Sequence, residues 1–344
     1  MRGMRRAVTQ APGTMRIEAC ERPVLTDGQA RIGVQVVGLC GSDYHLFDGT
    51  HPYSHFPQTQ GHEFAGVVLE LAEGYGGAIR VGDGVAVEPT APCGDCIACR
   101  RGRPNCCVSL KVLGAHLPGA LASEITVSTQ RLYSLGDLDF ELGALVEPVS
   151  IGLHAVVRGQ ITAEDTVAVL GAGPIGLAAT LAANDLGARI LVADLIESRL
   201  QRALSLGAEA VVDTSQVDLA DAVEKFTTGD GATVVIDATG VPALIRGAFG
   251  LVAHSGTIVV VGISTEDVNI PVIEFSRKEV TVHGSRNSCG EFTRAVDLIR
   301  RYPEQVRAWI THRISLAELP DAIQFAAGNP DRVEKMVVLM DEGA

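Results

Sequence analysis

The chain has 344 residues, of which 47% are apolar and 20% are charged, and its formal net charge is −13. This length exceeds what one ordinary hydrophobic core accommodates, so we expect two domains. The acidic balance excludes nucleic acids and anionic membranes as expected partners, because both would repel the chain. Glycine is abundant, with 38 residues, which favours an α/β protein with many tight turns over a β-sandwich.

The distribution of apolar residues and cysteines predicts a cytoplasmic location. The basic N-terminal stretch is not followed by the apolar segment of a secretory signal, and no apolar run is long enough to span a bilayer. Five of the eight cysteines lie between residues 93 and 107. Such crowding indicates metal binding or catalysis rather than a disulfide framework.

The first ninety residues are predicted to be β-rich. Apolar and other side chains alternate between residues 31 and 36, and short apolar runs bounded by glycine occupy residues 67–69 and 85–87. No helix of normal length is predicted before residue 90. A further strand is expected at residues 120–127, and helical periodicity begins at residue 142.

Strands and amphipathic helices alternate between about residues 165 and 285. Predicted strands cover residues 166–170, 189–193, 210–212, 234–236 and 257–261, and predicted helices cover residues 174–186 and 199–206. This order with short glycine-containing turns requires a parallel sheet covered on both faces. The closing part has two predicted helices, at residues 292–300 and 316–326, and a final strand at residues 335–340.

The stretch from Gly38 to Gly66 brings several metal-binding side chains together. It contains the thiol of Cys40, the imidazoles of His45 and His62, and the carboxylate of Glu63. Zinc accepts sulfur, imidazole nitrogen and carboxylate oxygen as ligands. The stretch is therefore a candidate metal site, although one cysteine and one histidine 22 positions apart also occur by chance.

A second group of thiols has the spacing of a structural zinc site. Cys93, Cys96, Cys99 and Cys107 form the pattern C-x2-C-x2-C-x7-C. Four thiolates on a short loop satisfy a tetrahedral zinc and leave no position for substrate. An iron–sulfur cluster is the alternative, but the spacing differs from both ferredoxin patterns. Spacing alone leaves open whether Cys106 or Cys107 is the fourth ligand.

A dinucleotide-binding turn is predicted at the first strand of the alternating region. The run 167–176 places G-x-G-x-x-G directly after a strand and before a helix, and the residues of this turn are Gly171, Gly173, Pro174, Ile175 and Gly176. The glycines let the backbone approach a pyrophosphate, and the helix N-terminus presents free N–H groups to it.

Asp194, at the end of the next strand, predicts NAD rather than NADP. A carboxylate at this point accepts hydrogen bonds from the ribose hydroxyls and repels a 2′-phosphate. The alternative is an exposed turn acid. Arg199, one helical turn further on, would soften the preference.

With these features the chain resembles the zinc-dependent medium-chain dehydrogenases over essentially its full length. Gly61–Gly66 resembles their GHE-x-x-G signature, Gly38–Asp43 their catalytic cysteine motif, and Val81–Val87 the strand before the cysteine lobe. Glu147-Pro148 resembles the branch of sorbitol, L-idonate, galactitol and related dehydrogenases, and residues 105–116 with Ser285–Asn287 resemble its L-idonate or L-galactonate 5-dehydrogenase group.

The resemblance implies a Rossmann doubly wound parallel sheet inserted in a β-rich, GroES-like catalytic domain. The catalytic domain would comprise residues 1–148 and 285–344, with a structural zinc lobe at 90–110, and the NAD-binding domain residues 149–284. It also implies NAD, two zinc ions per chain, and a homodimer or homotetramer formed through edge strands near residues 257–263. The expected activity is hydride transfer to NAD from a secondary alcohol of a polyol, sugar or sugar acid.

Roles for single residues follow from the same resemblance. Cys40 and His62 would be catalytic zinc ligands, and Glu63 and Glu147 would supply oxygens directly or through water, with an outer-sphere role for Glu63 and a helix N-terminal role for Glu147 as alternatives. Ser42 and His45 would relay the proton from the substrate to solvent. Ser42 as a helix N-cap and His45 as a surface histidine are the alternatives.

Four further positions complete the implied site. Arg286 would face the substrate or the nicotinamide, and Lys335 would pair with the pyrophosphate. Tyr53 would line the substrate pocket, and Asp43 would orient a ligand or hold the start of the following helix. Each basic residue has a surface charge as its alternative.

Two other functions compete with the leading prediction. A zinc-free quinone or enoyl reductase on the same scaffold would leave Cys40, His62, Glu147 and the cysteine lobe unexplained. A non-catalytic NAD-binding regulatory protein would leave the filled ligand and relay positions unexplained. The sequence leaves open which substrate is used, which glutamate ligates zinc, how strictly NAD is preferred, and whether the chain forms dimers or tetramers.

Overall fold

The computed structural model describes residues 3–52, 54–329 and 332–340, and these residues form 17 strands and 12 α-helices. The elements of the first part of the chain are β1 (Arg5–Ala11), β2 (Thr14–Ala19), β3 (Gln29–Leu39), α1 (Gly41–Asp48), β4 (Glu63–Leu71), β5 (Gly84–Val87), β6 (Thr90–Ala91), α2 (Ile97–Arg100), β7 (Lys111–Val112), β8 (Glu124–Ser128), β9 (Leu132–Ser134), α3 (Phe140–Ala144) and α4 (Val146–Gly159).

The middle of the chain alternates strands and helices. Its elements are β10 (Thr166–Leu170), α5 (Pro174–Asp185), β11 (Arg189–Asp194), α6 (Glu197–Ser205), β12 (Ala210–Asp213), α7 (Leu219–Phe226), β13 (Ala232–Asp237), α8 (Pro242–Leu251), β14 (Val252–Val260), α9 (Ile273–Arg277) and β15 (Thr281–Gly284). The closing elements are α10 (Phe292–Arg301), α11 (Pro303–Arg307), β16 (Ile310–Ser315), α12 (Leu319–Gly328) and β17 (Lys335–Leu339).

The chain divides into two compact units. One comprises Met1–Glu147 with Ala295–Ala344, and the other comprises Pro148–Arg294. The predicted division returned to the first domain at residue 285. Within the second unit, the buried His154 Nδ1 and Glu291 Oε1 lie 2.9 Å apart. The compact units change at residue 294, and the domain boundary at residue 285 stays a prediction.

The first unit is built on a mixed, mostly antiparallel sheet. Its strand order is β16-β17-β3-β4-β5-β9, and β8 also pairs with β3. The long strand β3 is buried over most of its length, because nine of its eleven residues are inaccessible. Its apolar side chains pack with those of β4, β17 and α12 in one hydrophobic cluster. The packing of β3 therefore fixes the position of its C-terminal end and of the residues that follow it.

The second unit is the predicted doubly wound parallel sheet. Its order is β12-β11-β10-β13-β14-β15, and all strands are parallel. Successive strands are added on one side of β10 as far as β12, and on its other side from β13 to β15. The apolar strand β10 is buried on both faces, as expected of a central parallel strand. Ligands of such sheets bind at the carboxyl ends of the strands beside this reversal.

The predicted fold class is confirmed, and several local expectations are corrected. A short helix, α1, forms before residue 90, and it begins after Cys40 rather than at Ser42, so Ser42 is not its N-cap. Helices α7 and α8 and strands β15 and β16 lay outside the predicted elements.

The expected edge strand near residues 257–263 is also corrected. Residues 257–260 belong to β14, which pairs with β13 on one side and β15 on the other. Within the described residues, the edge of the sheet on this side is β15, and the opposite edge is β12. No helix among the described residues is both long and apolar enough to cross a membrane.

Candidate active site

Two neighbouring strands of the first unit bring the predicted metal ligands together. Strand β3 ends at Leu39 and Cys40 follows it, while His62 directly precedes β4, which begins at Glu63. The strands are antiparallel, and Gly38 is opposite Glu63. The end of one strand and the start of the other therefore lie side by side.

Cys40, His62 and Glu63 form a compact ligand set. One ligand atom from each lies within 4.8 Å of the other two, and the His62 and Glu63 side chains are largely buried. Thiolate, imidazole and carboxylate are the donors that zinc accepts, so these residues fit the metal. Gly38 is required beside them, because a Cβ there would lie 2.4 Å from Glu63 Oε2.

Glu147 is close to this set but is not part of the group of three. It lies in the first turn of α4 and is 8% exposed. Burial raises the pKa of its carboxyl to about 7, with the charge of Glu63 adding to the effect and that of His62 opposing it.

Asp43 holds the two ligand segments in register. Its fully buried carboxylate accepts hydrogen bonds from Cys40 N at 3.0 Å and from Gly61 N at 3.3 Å, and it lies 3.7 Å from His62 Nδ1. Asp43 thus stands both at the start of the helix and beside a ligand. Burial raises the pKa of Asp43, and the nearby His62 opposes this effect.

The electrostatic environment of His62 is strongly negative. Burial alone would lower the pKa of this imidazole, but the charges of Asp43, Cys40 and Glu147 outweigh burial and raise its pKa well above the ordinary value. A site that attracts a proton this strongly also attracts a metal cation.

A buried glutamine extends this polar network, and sequence reasoning missed it. Gln60 Nε2 donates to the backbone oxygen of Asp43 at 2.6 Å, and its Oε1 accepts from Thr9 Oγ1 at 2.6 Å. No spacing signal marks Gln60, since only its position next to the Gly61-His62 pair would have drawn attention to it.

The two predicted relay residues lie on α1. Ser42 is in the first turn and partly buried, and His45, one turn later, has a side chain that is 65% exposed. Residues three apart on a helix lie on the same side of it. His45 Nδ1 is 3.0 Å from Thr50 Oγ1. Tyr53 lies outside the described residues.

Lys335, for which a pyrophosphate contact is predicted, has its ammonium bonded within the first unit. Its Nζ is buried and donates to Glu63 Oε1 at 2.9 Å, Glu63 Oε2 at 2.7 Å and Leu39 O at 3.1 Å. Burial alone would lower the pKa of Lys335, but the charges of Glu63 and Cys40 outweigh it and raise the pKa. All three N–H directions of the ammonium are therefore occupied within the first unit.

The glycine turn of the second unit has the geometry of a phosphate-binding loop. Gly171 has φ +95°, and a Cβ on Gly176 would lie 1.8 Å from the oxygen of Gly171. Around Gly173, the N-cap of α5, a Cβ would meet nothing within 4 Å. Gly171 thus allows the tight turn, and Gly176 allows its close packing. Gly173 leaves open space where a pyrophosphate would approach. Pro174 and Ile175 form the first turn of α5.

Asp194 closes the other side of this turn. Its Oδ2 accepts from Ala172 N at 2.6 Å, and its Oδ1 accepts from Leu195 N at 2.8 Å and Ile196 N at 2.9 Å. A carboxylate has about four lone-pair sites, so one remains for a ribose hydroxyl.

The remaining two predicted cofactor contacts lie on the same unit. Arg199 is partly buried on α6, the helix that follows Asp194, and Arg286 is exposed two residues after β15. Both positions follow the carboxyl ends of parallel strands, and their contacts with a cofactor or substrate stay predictions.

The cysteine lobe contains a four-thiol cluster. The sulfur atoms of Cys93, Cys96, Cys99 and Cys107 all lie within 4.8 Å of one another, with Cys93 and Cys107 3.5 Å apart. Cys106 is exposed and outside this group, so the geometry favours Cys107. Backbone N–H groups of Cys99 and Val108 lower the pKa of Cys96 to about 6, whereas burial and the neighbouring thiols raise the pKa of Cys99.

Comparison with known proteins gives the same assignment for both units. Residues 26–137 match the family model "Alcohol dehydrogenase GroES-like domain", and residues 174–301 match "Zinc-binding dehydrogenase". The chain is 32% identical to L-galactonate-5-dehydrogenase of Escherichia coli K12 over 92% of this chain and 93% of the relative. It is 34% identical to sorbitol dehydrogenase of Bombyx mori over 93% of this chain and 94% of the relative.

A solved structure shares the whole architecture. An alcohol dehydrogenase from E. coli CFT073 in complex with NADH superposes with a TM-score of 0.92 at 30% identity, covering 98% of this chain and 99% of that chain. A zinc-free reductase or a non-catalytic NAD-binding protein would leave both the thiolate, imidazole and carboxylate set and the four-thiol lobe unexplained. The predicted family is thus confirmed: this chain belongs to the zinc-type medium-chain alcohol dehydrogenases, in their polyol and sugar-acid branch, and oxidises alcohols with zinc and a nicotinamide dinucleotide.

Proposed function

We propose that this protein oxidises a secondary hydroxyl of a sugar acid or polyol, with NAD as the preferred hydride acceptor. The observation that carries the proposal is the buried set of Cys40, His62 and Glu63 in the same chain as an open glycine turn. The unit Met1–Glu147 with Ala295–Ala344 would carry the chemistry, and Pro148–Arg294 would bind the cofactor.

The proposed roles divide metal binding from proton transfer. When bound, zinc lowers the pKa of the substrate hydroxyl, and NAD accepts the hydride. Cys40 and His62 hold the metal, with Glu63 or Glu147 supplying oxygen, and Cys93, Cys96, Cys99 and Cys107 hold the structural ion. Ser42 takes the hydroxyl proton, and the exposed imidazole of His45 passes it to water.

The substrate class rests on the relatives and on one residue. L-Galactonate-5-dehydrogenase and sorbitol dehydrogenase are named for an acidic and a neutral polyhydroxy substrate. Arg286, exposed after β15, supplies a cation that would suit the carboxylate of a sugar acid. Arg199 would lie beside the adenosine ribose.

The location and assembly of the protein follow from its thiols and its apolar surface. All eight cysteines lie in described residues and none forms a disulfide, which fits a reducing cytoplasm. Recovery of the protein from a non-cytoplasmic fraction would contradict this location. Several exposed apolar residues lie in the stretch of chain that leads to β15 and in β15 itself: Ile263, Val272, Ile273, Phe275 and Val282. Together with the edge position of β15, they favour a homodimer or homotetramer formed through this strand.

The first test combines a substrate panel with metal removal. The zinc-loaded enzyme should reduce NAD with at least one polyol or sugar acid, and removing zinc should lower kcat by about 1,000-fold or more, because the hydroxyl loses its Lewis acid. Binding of NADH, followed by the fluorescence of its reduced nicotinamide ring, should persist. Full activity in a sample shown to be metal-free would disprove the mechanism.

The second test concerns the proton relay. Ser42→Ala should lower kcat by about 100-fold, the lower end of measured general acid–base contributions, because the substrate proton loses its acceptor. His45→Gln should show a smaller loss that added imidazole buffer restores. Equal kcat values for S42A and the parent enzyme would refute the relay.

The third test concerns cofactor choice. The parent enzyme should prefer NAD over NADP by about 100-fold in kcat/KM, because placing like charges together costs several kcal/mol. Asp194→Asn should reduce this ratio at least tenfold. Glu197→Gln removes an exposed charge three residues away and should leave the ratio unchanged. A parent enzyme that used both cofactors equally well would contradict the assignment.

The fourth test concerns assembly. Analytical ultracentrifugation should show a dimer or tetramer, and Val282→Lys should shift it towards smaller species, because an edge lysine opposes strand pairing. Val81→Lys introduces the same charge at an exposed position of the other unit and should not change the sedimentation. A monomeric parent protein would refute the proposed interface.

A further inference from the structure

A buried histidine–glutamate pair in the second unit has no part in the proposed chemistry. His154 Nδ1 is 2.9 Å from Glu291 Oε1, and the two side chains are 2% and 7% exposed. Burial alone would raise the pKa of Glu291, but its hydrogen bonds with His154 and with the backbone N–H of Cys289 outweigh burial and lower the pKa. An ionised carboxylate only accepts hydrogen bonds, so His154 Nδ1 carries the proton of this contact.

The pair joins a helix to the segment after β15, which comprises residues 285–291. His154 lies on α4, and Glu291 is 137 positions further along the chain. The second carboxylate oxygen of Glu291 accepts a hydrogen bond from Cys289 N, and Gly290 between them has φ +95°. The carboxylate therefore closes a tight turn at the end of the segment and fixes this turn to α4.

The same helix also holds the other end of the segment after β15. Arg158 Nε donates to Gly284 O at 3.1 Å, and Arg158 O lies 2.7 Å from His283 Nδ1. Residues four apart on a helix lie on the same side of it, so His154 and Arg158 face the same neighbour. The segment is thus tied to α4 at both of its ends.

The segment after β15 lies on the side of the sheet where the second half of a dinucleotide is expected. The glycine turn follows β10 and Asp194 ends β11, so the pyrophosphate and the adenosine ribose are expected at these two strands. Doubly wound sheets bind the other mononucleotide over the strands on the opposite side of the first strand, which here are β13, β14 and β15.

Arg286 is the exposed cation of this segment. A guanidinium has five N–H donors in a fixed geometry, so it can bind a cofactor oxygen in addition to a contact within the protein. Such a donor is effective only when its backbone is held in place, because ordering a mobile segment on binding costs free energy.

We propose that His154 and Glu291 are positioning residues that hold the segment after β15, and with it Arg286, in place for the nicotinamide half of the cofactor. This role rests on the proposed function, because it requires a nicotinamide dinucleotide on the parallel sheet. It assigns no contact with the cofactor to His154 or Glu291 themselves. Loss of their bond should therefore release the segment and leave the adenosine half of the site intact.

The direct test compares the binding of NADH with the binding of AMP, which carries only the adenosine half. His154→Leu removes the bond to Glu291, so the dissociation constant of NADH, measured by its fluorescence, should rise about tenfold, as for the loss of one hydrogen bond to a charged group. The dissociation constant of AMP, measured by competition with NADH, should change less than about threefold, because distant contacts act independently. A general loss of structure would weaken both ligands alike.

Two variants serve as matched controls. His154→Asn keeps a donor, because its amide nitrogen is bonded to Cγ as Nδ1 is, and it should bind NADH within about threefold of the parent protein. Thr233→Val removes a hydrogen bond of 2.8 Å to Asp165 near the amino end of β13, and it should leave both dissociation constants unchanged.

A double variant covers the case in which His154→Leu does not fold. His154→Phe with Glu291→Leu replaces both partners by apolar side chains, which avoids an unpaired buried carboxylate. This variant should also weaken the binding of NADH and not that of AMP. Circular dichroism melting curves establish that each variant is folded.

The outcomes separate this role from the proposed function. Unchanged NADH binding by a folded His154→Leu or double variant would overturn the positioning role, and so would an equal loss of affinity for NADH and AMP. Loss of NADH affinity in His154→Asn would also overturn it. A parent protein that oxidises none of the polyols and sugar acids would instead refute the proposed function, and the binding of NADH and AMP would still decide the role of His154.

Discussion

The candidate active site depends on one buried carboxylate, that of Asp43. It accepts hydrogen bonds from the backbone of Cys40 and of Gly61, which belong to two segments separated by 20 residues of chain, and it lies beside His62. A fully buried carboxylate is tolerated only where such partners exist. Because its partners include the backbone of Cys40 and the backbone next to His62, this carboxylate fixes the relative positions of the two ligands.

In the second unit, too, one aspartate carboxylate accepts hydrogen bonds from several backbone groups beside a candidate ligand site. Asp194 accepts hydrogen bonds from three backbone N–H groups, and one of these groups lies in the glycine turn that would receive the pyrophosphate. A single carboxylate thus holds the glycine turn and keeps one lone pair for the ribose contact that we propose. In each unit, an aspartate orients groups of the candidate site.

The pair of Lys335 and Glu63 shows why family resemblance and physical contacts must be considered together. The resemblance places a basic residue at the start of the last strand near a pyrophosphate, whereas the structure surrounds that residue with a carboxylate and a carbonyl of the first unit. Moving an ammonium with every N–H satisfied away from a buried carboxylate is unfavourable, because both buried charges would then lack a partner. The observed contacts of Lys335 lie within the first unit, and its pyrophosphate contact stays a prediction.

The sequence by itself determined the features whose geometry is encoded in neighbouring residues. The glycine turn, the four-thiol lobe and the alternating strands and helices each depend on contacts within a short stretch of chain, and all three appear as predicted. Only the tertiary structure decided which distant residues meet. Lys335 and Glu63 are 272 positions apart, Gln60 binds Thr9 from 51 positions away, and the edge of the parallel sheet falls on β15 rather than β14. Such contacts follow from strand order and packing, and no periodicity or spacing within the sequence records them.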